Sequence, residues 1–444
     1  MKQLKISLTA FLLIILSSPL LAQVNKIDFE EFDLPNGLHV ILHKNNSTPI
    51  VAVSVMYHVG SKNERTDRTG FAHFFEHLMF EGTENIPRTE YSKYVEKAGG
   101  TLNANTSFDR TYYYEILPSN QLELGLWLES ERMLHAIVDS VGIATQKKVV
   151  IEEKKQSYDN RPYGDLIIEM LARSYKVHPY RWMPIGDPEH IMNSEDQDFV
   201  DFYKTFYVPN NATLVIAGDI DASSAKILVE KYFTDIPRGE KDIYRPTEFD
   251  APQTAEVKDT IYGNVQLPLL AQAYHVPAMG TDDYYVIEIL SQLLSVGKSS
   301  RLYKSLVDEQ QKALQAGSFP LGMQDPGLVL NYALPMNGVD MADLEAAIDA
   351  EIDKVKAELI SEEELAKIKN QIENQTINGN IKIATIAENL ATSYTYFKNT
   401  NLVNEELNKY LAVTREDIKR VANKYLTKEN RVVIYYLPNS AKAN

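Results

Sequence analysis

The stretch that decides how this chain is interpreted is Arg68-Thr69-Gly70-Phe71-Ala72-His73-Phe74-Phe75-Glu76-His77-Leu78-Met79-Phe80. It predicts a helix, in which each residue is rotated by about 100° from the one before it. His73, Glu76 and His77 then lie within one arc of roughly 100° on the helix surface. Two imidazoles suit a zinc ion, and the carboxylate suits a base beside it. The alternative is an ordinary set of polar residues on a half-exposed helix.

A third zinc ligand has to come from another element, because a catalytic zinc ion normally has three protein ligands plus water. The helix predicted over residues 144–157 carries Glu152 and Glu153, which point about 100° apart, so only one can face the site. Val149 and Val150 mark the predicted buried side, and Glu153 lies four residues beyond Val149 on that side. Spacing therefore favours Glu153, and leaves Glu152 to solvent or to a position behind the site.

The N-terminus predicts export. Lys2 and Lys5 precede an apolar run over residues 6–16, and small residues follow up to Ala22, which indicates a signal peptide over residues 1–22. A retained signal anchor is the alternative, although the run is short for a membrane span, and we expect no stable membrane anchor. Because the chain has no cysteine, it can have neither disulfides nor a lipid attached at cysteine. We expect secretion across the inner membrane, with a bacterial periplasm as the best fit.

Composition excludes some partners. The chain of 444 residues has 45 basic and 61 acidic side chains, a formal charge of −16. Such an acidic protein is a poor candidate for binding nucleic acid or anionic membranes. Its length suffices for two or three domains, each with a sizeable core.

The chain predicts an α+β fold of two homologous α/β-roll domains, each a largely antiparallel sheet with helices on one face. The repeat shows in Met56-Tyr57-His58-Val59 and Ala273-Tyr274-His275-Val276, each followed by a loop and a helix. We expect an N-terminal zinc-binding domain over residues 23–236 and a linker over 237–256. A homologous C-terminal domain without the metal motif follows over 257–444.

The motif His73-Phe74-Phe75-Glu76-His77, followed by Glu153 76 residues beyond His77, resembles the inverted zinc motif of the pitrilysin family. That family includes insulin-degrading enzyme and the mitochondrial processing peptidases. The resemblance extends to Val59-Gly60-Ser61, to Asn103-Ala104 with Thr106, and to Pro184-Ile185-Gly186. It implies a zinc-dependent endopeptidase with one zinc ion per chain, bound by His73, His77 and Glu153. Glu76 would act as the general base on the zinc-bound water.

The resemblance also implies a substrate site. Asn103 and Ala104 would lie on an edge strand beside the metal, to which a substrate peptide adds as an extra strand. The alternative for Asn103 is a turn residue. Among the tyrosines that follow, Tyr113 is expected to pack in the core.

Two departures from the family pattern concern the surroundings of the metal. Members usually carry a glutamate seven residues before the metal-binding one, behind the site, where this chain has Gln146. Active members also use an Arg and a Tyr from the second half, but residues 327–341 contain Tyr332 and no Arg. Arg301 and Tyr303 lie earlier, in a segment expected to pack a helix start. We therefore expect a heterodimer with a homologous subunit that binds no zinc and supplies the Arg and Tyr; a homodimer stays open.

The leading functional hypothesis is a peptidase acting on peptides or unfolded segments. The alternative is a non-catalytic assembly subunit of a larger complex, and a zinc-storing protein is weaker still. The intact set of two histidines and two glutamates argues against the assembly subunit, which has no reason to retain three metal-binding residues and a base. It argues against zinc storage because Glu76 would then have no task.

Overall fold

The protein is described here from a computed structural model, which places residues 26–443 in two halves of similar architecture. The predicted signal peptide, residues 1–22, lies outside the described residues. Within residues 26–443, no helix is both long enough and apolar enough to cross a membrane.

In both halves, groups of strands are followed by groups of helices along the chain. The strands of the first half are β1 (Glu30–Asp33), β2 (His39–Lys44), β3 (Ile50–Tyr57), β4 (Thr101–Thr106), β5 (Thr111–Pro118) and β6 (Ala212–Gly218). Its helices are α1 (Phe71–Leu78), α2 (Tyr91–Lys97), α3 (Leu122–His135), α4 (Ser140–Lys154), α5 (Leu166–Ser174), α6 (Pro188–Met192), α7 (Asp196–Phe206) and α8 (Ala222–Phe233). The strands of the second half are β7 (Val257–Gly263), β8 (Leu269–Val276), β9 (Ala313–Leu321), β10 (Gly327–Pro335) and β11 (Arg431–Pro438). Its helices are α9 (Asp282–Ser295), α10 (Met341–Ala357), α11 (Glu362–Gly379), α12 (Ile383–Phe397), α13 (Leu402–Ala412) and α14 (Arg415–Tyr425).

The two sheets share the same topology over five strands, and the first sheet carries β1 as an additional sixth strand. The first has the order β1-β2-β6-β3-β5-β4, and the second has the order β7-β11-β8-β10-β9. The pairs β2–β6 and β11–β7 are parallel, and all other pairs are antiparallel. Met56 pairs with Thr213 and Tyr112, just as Ala273 pairs with Val432 and Leu330. The predicted α+β fold of two homologous, largely antiparallel domains is confirmed.

Each sheet is covered on one face by helices of its own half and on the other by a helix of the opposite half. In the first half, α1, α3, α7 and α8 bury one face in the main core. The other face packs Ala52 and Val215 against Ile386 and Leu390 of α12, from the second half. Reciprocally, Met170 and Leu171 of α5 lie in the core on the far face of the second sheet. The sequence did not predict this exchange.

Several predicted bounds were wrong, for local reasons. The helix predicted over residues 68–80 is shorter, because Gly70 has a left-handed φ of 92° and α1 begins at the next residue. The helix predicted over 144–157 begins earlier, where the Asp139 carboxylate caps α4 by accepting the Gly142 N–H at 2.9 Å. After Lys154 the chain continues as a π-helical turn, Lys155–Asp159.

The segment predicted as a linker contains neither helix nor strand within residues 237–256. It contacts both halves: Arg245 Nη1 donates to the His58 carbonyl at 2.7 Å, and Gln253 Nε2 donates to the Arg431 carbonyl at 2.7 Å.

Candidate metal centre

Helix α1 is fixed in the first half by its aromatic face. Phe74 and Phe75 are fully buried, and their rings pack against Phe199 and Phe202 of α7, with ring centroids 4.6 Å and 5.3 Å apart. The opposite face of α1 carries His73, Glu76 and His77, which are partly exposed. The amphipathic pattern of this short helix therefore turns three polar side chains away from the core.

The N-terminus of α1 is capped by Glu64, a buried acid that the sequence analysis missed. Its Oε2 accepts the Gly70 N–H at 2.9 Å, and its Oε1 accepts the Ala72 N–H at 2.8 Å. Trp182 Nε1 also donates to Oε2, at 3.1 Å. A carboxylate at this end satisfies helix N–H groups that have no partner within the helix and suits the helix dipole. The sequence offers only an acid in a charged loop, and nothing local shows that the loop folds back.

Helix α4 brings Glu153 to the histidines, although one reason given for choosing it was wrong. Val150 is buried, but Val149 is 43% exposed, so Val149 does not lie on the buried side. Glu153 reaches the site because it lies three residues, about one helical turn, after Val150. The Glu152 side chain is 58% exposed and accepts a hydrogen bond from Gln156 Nε2 at 3.1 Å.

Three ligand atoms converge between α1 and α4. Nε2 of His77 lies 3.3 Å from Nε2 of His73 and 3.1 Å from Oε2 of Glu153, and the third separation, from His73 to Glu153, is 3.6 Å. Donor atoms of a tetrahedral zinc site lie about 3.3–3.6 Å apart, given metal–ligand distances of about 2.0–2.2 Å. In residues 26–443 this is the one set of three such side chains that converges closely enough to hold a metal ion. The residues present fit zinc, with one coordination position left for water or substrate.

The electrostatics of these side chains favour metal-binding protonation states. Burial, reinforced by the neighbouring His77, lowers the pKa of His73 to about 4, so its imidazole is neutral near neutral pH. The hydrogen bond with His77 lowers the pKa of the Glu153 carboxyl, which therefore stays ionised. Metal binding requires a neutral imidazole and a charged carboxylate, so neither group has to lose a proton first.

Glu76 lies on the same face of α1, and its carboxylate is held from the sheet. Thr106 Oγ1, at the end of β4, donates to Glu76 Oε2 at 2.6 Å. Burial raises the pKa of Glu76 above its ordinary value, and the hydrogen bond from Thr106 opposes that rise. A carboxylate with a raised pKa is a stronger base, which suits proton transfer near neutral pH.

The predicted substrate residues lie on the outermost strand of the first sheet. Asn103 and Ala104 belong to β4, which pairs with β5 alone in the sheet order. The Ala104 N–H donates to Asn103 Oδ1 at 2.9 Å, so the Asn103 side chain satisfies that backbone donor. Tyr113 is fully buried on β5, and its hydroxyl donates to the Phe75 carbonyl at 3.1 Å, so its expected core position is confirmed.

Gln146 lies on α4, seven residues or about two helical turns before Glu153. Its Nε2 donates to Glu81 Oε1 at 2.6 Å, and Glu81, four residues after His77, also accepts a hydrogen bond from Arg88 at 3.2 Å. The sequence pattern alone did not point to Glu81. A carboxylate therefore lies next to the neutral amide of Gln146, while the role of Gln146 toward a metal stays a prediction.

The tyrosine and arginine considered in the second half are engaged in other contacts. The Tyr332 hydroxyl on β10 accepts a hydrogen bond from Gln315 Nε2 at 3.0 Å. Arg301 forms a two-pronged ion pair with Glu364 of α11, at 3.0 Å and 3.1 Å. Tyr303 begins a π-helical turn, Tyr303–Glu309.

Comparisons with known proteins agree with the fold and with the family resemblance. Residues 39–180 match the family described as Insulinase (Peptidase family M16), and residues 195–372 match the Peptidase M16 inactive domain. The chain is 32% identical over 440 residues to the zinc protease PqqE of Helicobacter pylori, covering 98% of each chain. It is 23% identical over 427 residues to a probable beta subunit of the mitochondrial-processing peptidase from Arabidopsis thaliana, covering 92% of this chain and 79% of that protein.

A solved structure gives the same result. The crystal structure of a protease from Helicobacter pylori superposes with a TM-score of 0.88 at 30% identity, covering 92% of this chain and 99% of that one. The predicted resemblance is therefore confirmed, and the chain belongs to peptidase family M16, the pitrilysin family.

Proposed function

We propose that this protein is a zinc-dependent endopeptidase that hydrolyses peptides or unfolded segments, with one zinc ion per chain bound by His73, His77 and Glu153. The observation that carries the proposal is the convergence of their three ligand atoms, 3.1–3.6 Å apart, beside the carboxylate of Glu76. The relatives named as zinc proteases support the same reaction class.

In this proposal the protein's own residues handle the proton. Zinc, when bound, makes a coordinated water more acidic and polarises the substrate carbonyl. Glu76 accepts a proton from the attacking water and returns it to the leaving amine. Thr106 holds one oxygen of the Glu76 carboxylate by its 2.6 Å hydrogen bond, which leaves the other oxygen for the proton.

The substrate is proposed to add to the free edge of β4. The Ala104 N–H, which is satisfied by the Asn103 side chain, is the backbone donor that an added strand would take over. Recognition through backbone groups tolerates many sequences and requires an extended chain, so unfolded segments are the expected substrates. The hydrogen bond from Thr106 to Glu76 supports this proposal, because it joins the end of β4 to the proposed base.

We further propose that the protein is exported across the inner membrane to the periplasm and works as a dimer. The matching region of the second half, residues 327–341, contains Tyr332 but no Arg, and Arg301 is paired with Glu364 instead, which favours a homologous partner that supplies the Arg and Tyr. A relative named as a subunit of a mitochondrial peptidase supports pairing. A homodimer is the other possible outcome.

The test is Glu76→Gln. The variant should bind zinc as tightly as wild type, because Glu76 is not a ligand, yet cleave fluorescein-labelled casein at least about a thousandfold more slowly. Metal analysis and the cleavage assay measure the two properties separately. Cleavage at the wild-type rate would overturn the mechanism. A wild-type protein that binds zinc but cleaves no unfolded protein, alone or with its homologous partner, would favour the assembly-subunit alternative.

A further inference from the structure

Arg110, in the turn that follows the proposed substrate strand β4, forms a contact between the two halves. This residue closes the turn between β4 and β5, where the Ser107 N–H donates to the Arg110 carbonyl at 2.8 Å. Its Nη2 donates to Glu388 Oε1 at 2.6 Å, and Glu388 belongs to α12 of the second half. Its Nη1 donates to the Asn105 carbonyl at 3.3 Å and also to the Asn105 side-chain oxygen. One guanidinium thus ties the end of the edge strand to the opposite half.

Arg110 and Glu76 hold β4 from opposite faces. Successive side chains of a strand point to opposite faces, so Asn105 and Thr106 face opposite ways. Thr106 donates to Glu76 on the α1 side. Asn105 pairs with Tyr112, which lies in the cluster packed against α12. The contact from the second half therefore reaches the residue directly before the one that holds the proposed base.

The ion pair is partly sheltered from solvent on its arginine side. The Arg110 side chain is 14% exposed and that of Glu388 is 38% exposed, and the guanidinium lies 5.5 Å from the centre of the Tyr112 ring. In residues 26–443, Glu388 is the one carboxylate that forms an ion pair with Arg110. An arginine fork can bond two partners in fixed directions, whereas a lysine ammonium acts as a point charge. Arg110 is thus suited to fixing Asn105 and Glu388 relative to each other.

We propose that Arg110 and Glu388 are positioning residues for substrate binding: together they fix the last residues of the β4 edge against α12. Without the pair, the end of this edge strand frays, and an incoming peptide has to order it on binding. This inference rests on the proposed peptidase function. It assigns the second half, which carries no ligand of the proposed zinc site, a direct part in substrate affinity.

The test is Glu388→Gln, introduced into the inactive Glu76→Gln background so that binding is measured without cleavage. The probe is a fluorescein-labelled casein peptide of about 20 residues, chosen as one that the wild type cleaves, and the readout is its dissociation constant by fluorescence anisotropy. We expect about fivefold weaker peptide binding and unchanged zinc affinity, since a partly exposed ion pair contributes on this scale. In the otherwise wild-type background, KM should rise and kcat should stay within about twofold.

Asp259→Asn provides a matched control. Asp259 of β7 pairs with Arg173 of α5 at 2.6 Å, and this ion pair also joins the two halves but lies on the second sheet, away from β4. It should leave the peptide dissociation constant unchanged. Arg110→Lys should lie between the wild type and Glu388→Gln, because lysine keeps the ion pair but cannot also hold Asn105.

The outcomes separate this inference from the proposed function. If Glu388→Gln binds the peptide as Asp259→Asn does, the positioning role is wrong even when Glu76→Gln abolishes cleavage. Should Glu388→Gln prove unstable, Arg110→Gln decides instead, because it removes the ion pair from the other side and leaves the partly exposed Glu388 in place; wild-type peptide affinity in that variant would overturn the inference. If no casein peptide is cleaved by the wild type, the proposed function fails and the inference falls with it.

Discussion

The protonation of Glu64 should make the start of the site helix sensitive to pH. The side chain is 5% exposed, and burial raises its pKa from the ordinary 4.5 to about 8, although the three N–H donors around it oppose the rise. A pKa that is higher in the folded state than in the unfolded state stabilises the fold fully below about pH 4.5, and this contribution is lost as pH rises through about 8. Wild-type protein should therefore lose about 2–3 kcal/mol between pH 6 and pH 9 from this group alone.

Glu64→Gln isolates this contribution, because glutamine does not titrate while all other groups remain. We would measure thermal unfolding of both proteins at pH 6 and pH 9 with chelator present. Between pH 6 and pH 9 the variant should gain about 2–3 kcal/mol of stability relative to wild type, or roughly 2–4 °C at about 1 °C per kcal/mol for a chain of 444 residues. Glu152→Gln is the control, because its side chain is 58% exposed on α4 and its removal should leave the pH dependence unchanged.

The opposite result would also show what sets the pKa of Glu64. If the difference in stability between wild type and Glu64→Gln is the same at pH 6 and pH 9, burial does not dominate the pKa of Glu64. The N–H groups of Gly70, Ala72 and Trp182 would then keep the carboxylate ionised throughout. In that case Glu64→Gln should cost about 2 kcal/mol at both pH values, since one charge-assisted hydrogen bond at the helix start is lost.

Three further changes test other parts of the structure. Thr106→Val removes the hydroxyl that is hydrogen-bonded to Glu76 at 2.6 Å and should lower kcat roughly tenfold with unchanged zinc content. Thr106→Ser should keep the wild-type rate. A wild-type kcat in the valine variant would contradict the role of Thr106 in holding Glu76. Glu153→Gln should weaken zinc binding by more than roughly a hundredfold in a metal titration. Losing a residue that only supports a ligand typically lowers metal affinity by about 10–100-fold, and losing the ligand itself should cost more. Glu152→Gln should bind zinc like wild type. Arg132→Met leaves the fully buried Glu115 and Glu129 without their cation and should lower the free energy of unfolding by about 3–5 kcal/mol. A loss below about 1 kcal/mol would mean that both acids are neutral in the folded protein.

The local periodicity of the sequence predicted much of the candidate site. His73, Glu76 and His77 lie on one face because a helix has 3.6 residues per turn, and that rule needs no tertiary information. Glu153 was chosen by the same rule, but with Val149 wrongly placed on the buried side, because two adjacent valines cannot both mark one face. The cap at Glu64 was missed, since a loop that folds back leaves no periodic signal.

Contacts between distant segments were also beyond sequence reasoning. Arg110 and Glu388 are 278 residues apart, and neither residue stands out in its own segment. Helices α5 and α12 were not predicted, and each packs on the sheet of the other half. The repeat in the sequence predicts two similar domains, but it carries no information about which domain a given helix covers.

The exchange of α5 and α12 explains why a half without metal ligands is needed by the half that has them. Ala52, Met56 and Val215 on the first sheet are fully buried, and they lie in one cluster with residues of α12. A chain that ended after the first half would expose this apolar sheet face to water, at a cost of roughly 25 cal/mol for each Å². It would also lose Glu388, the partner of Arg110 at the end of β4. The second half therefore completes both the core behind the sheet and the edge at which substrate is proposed to bind, so its retention needs no metal site of its own.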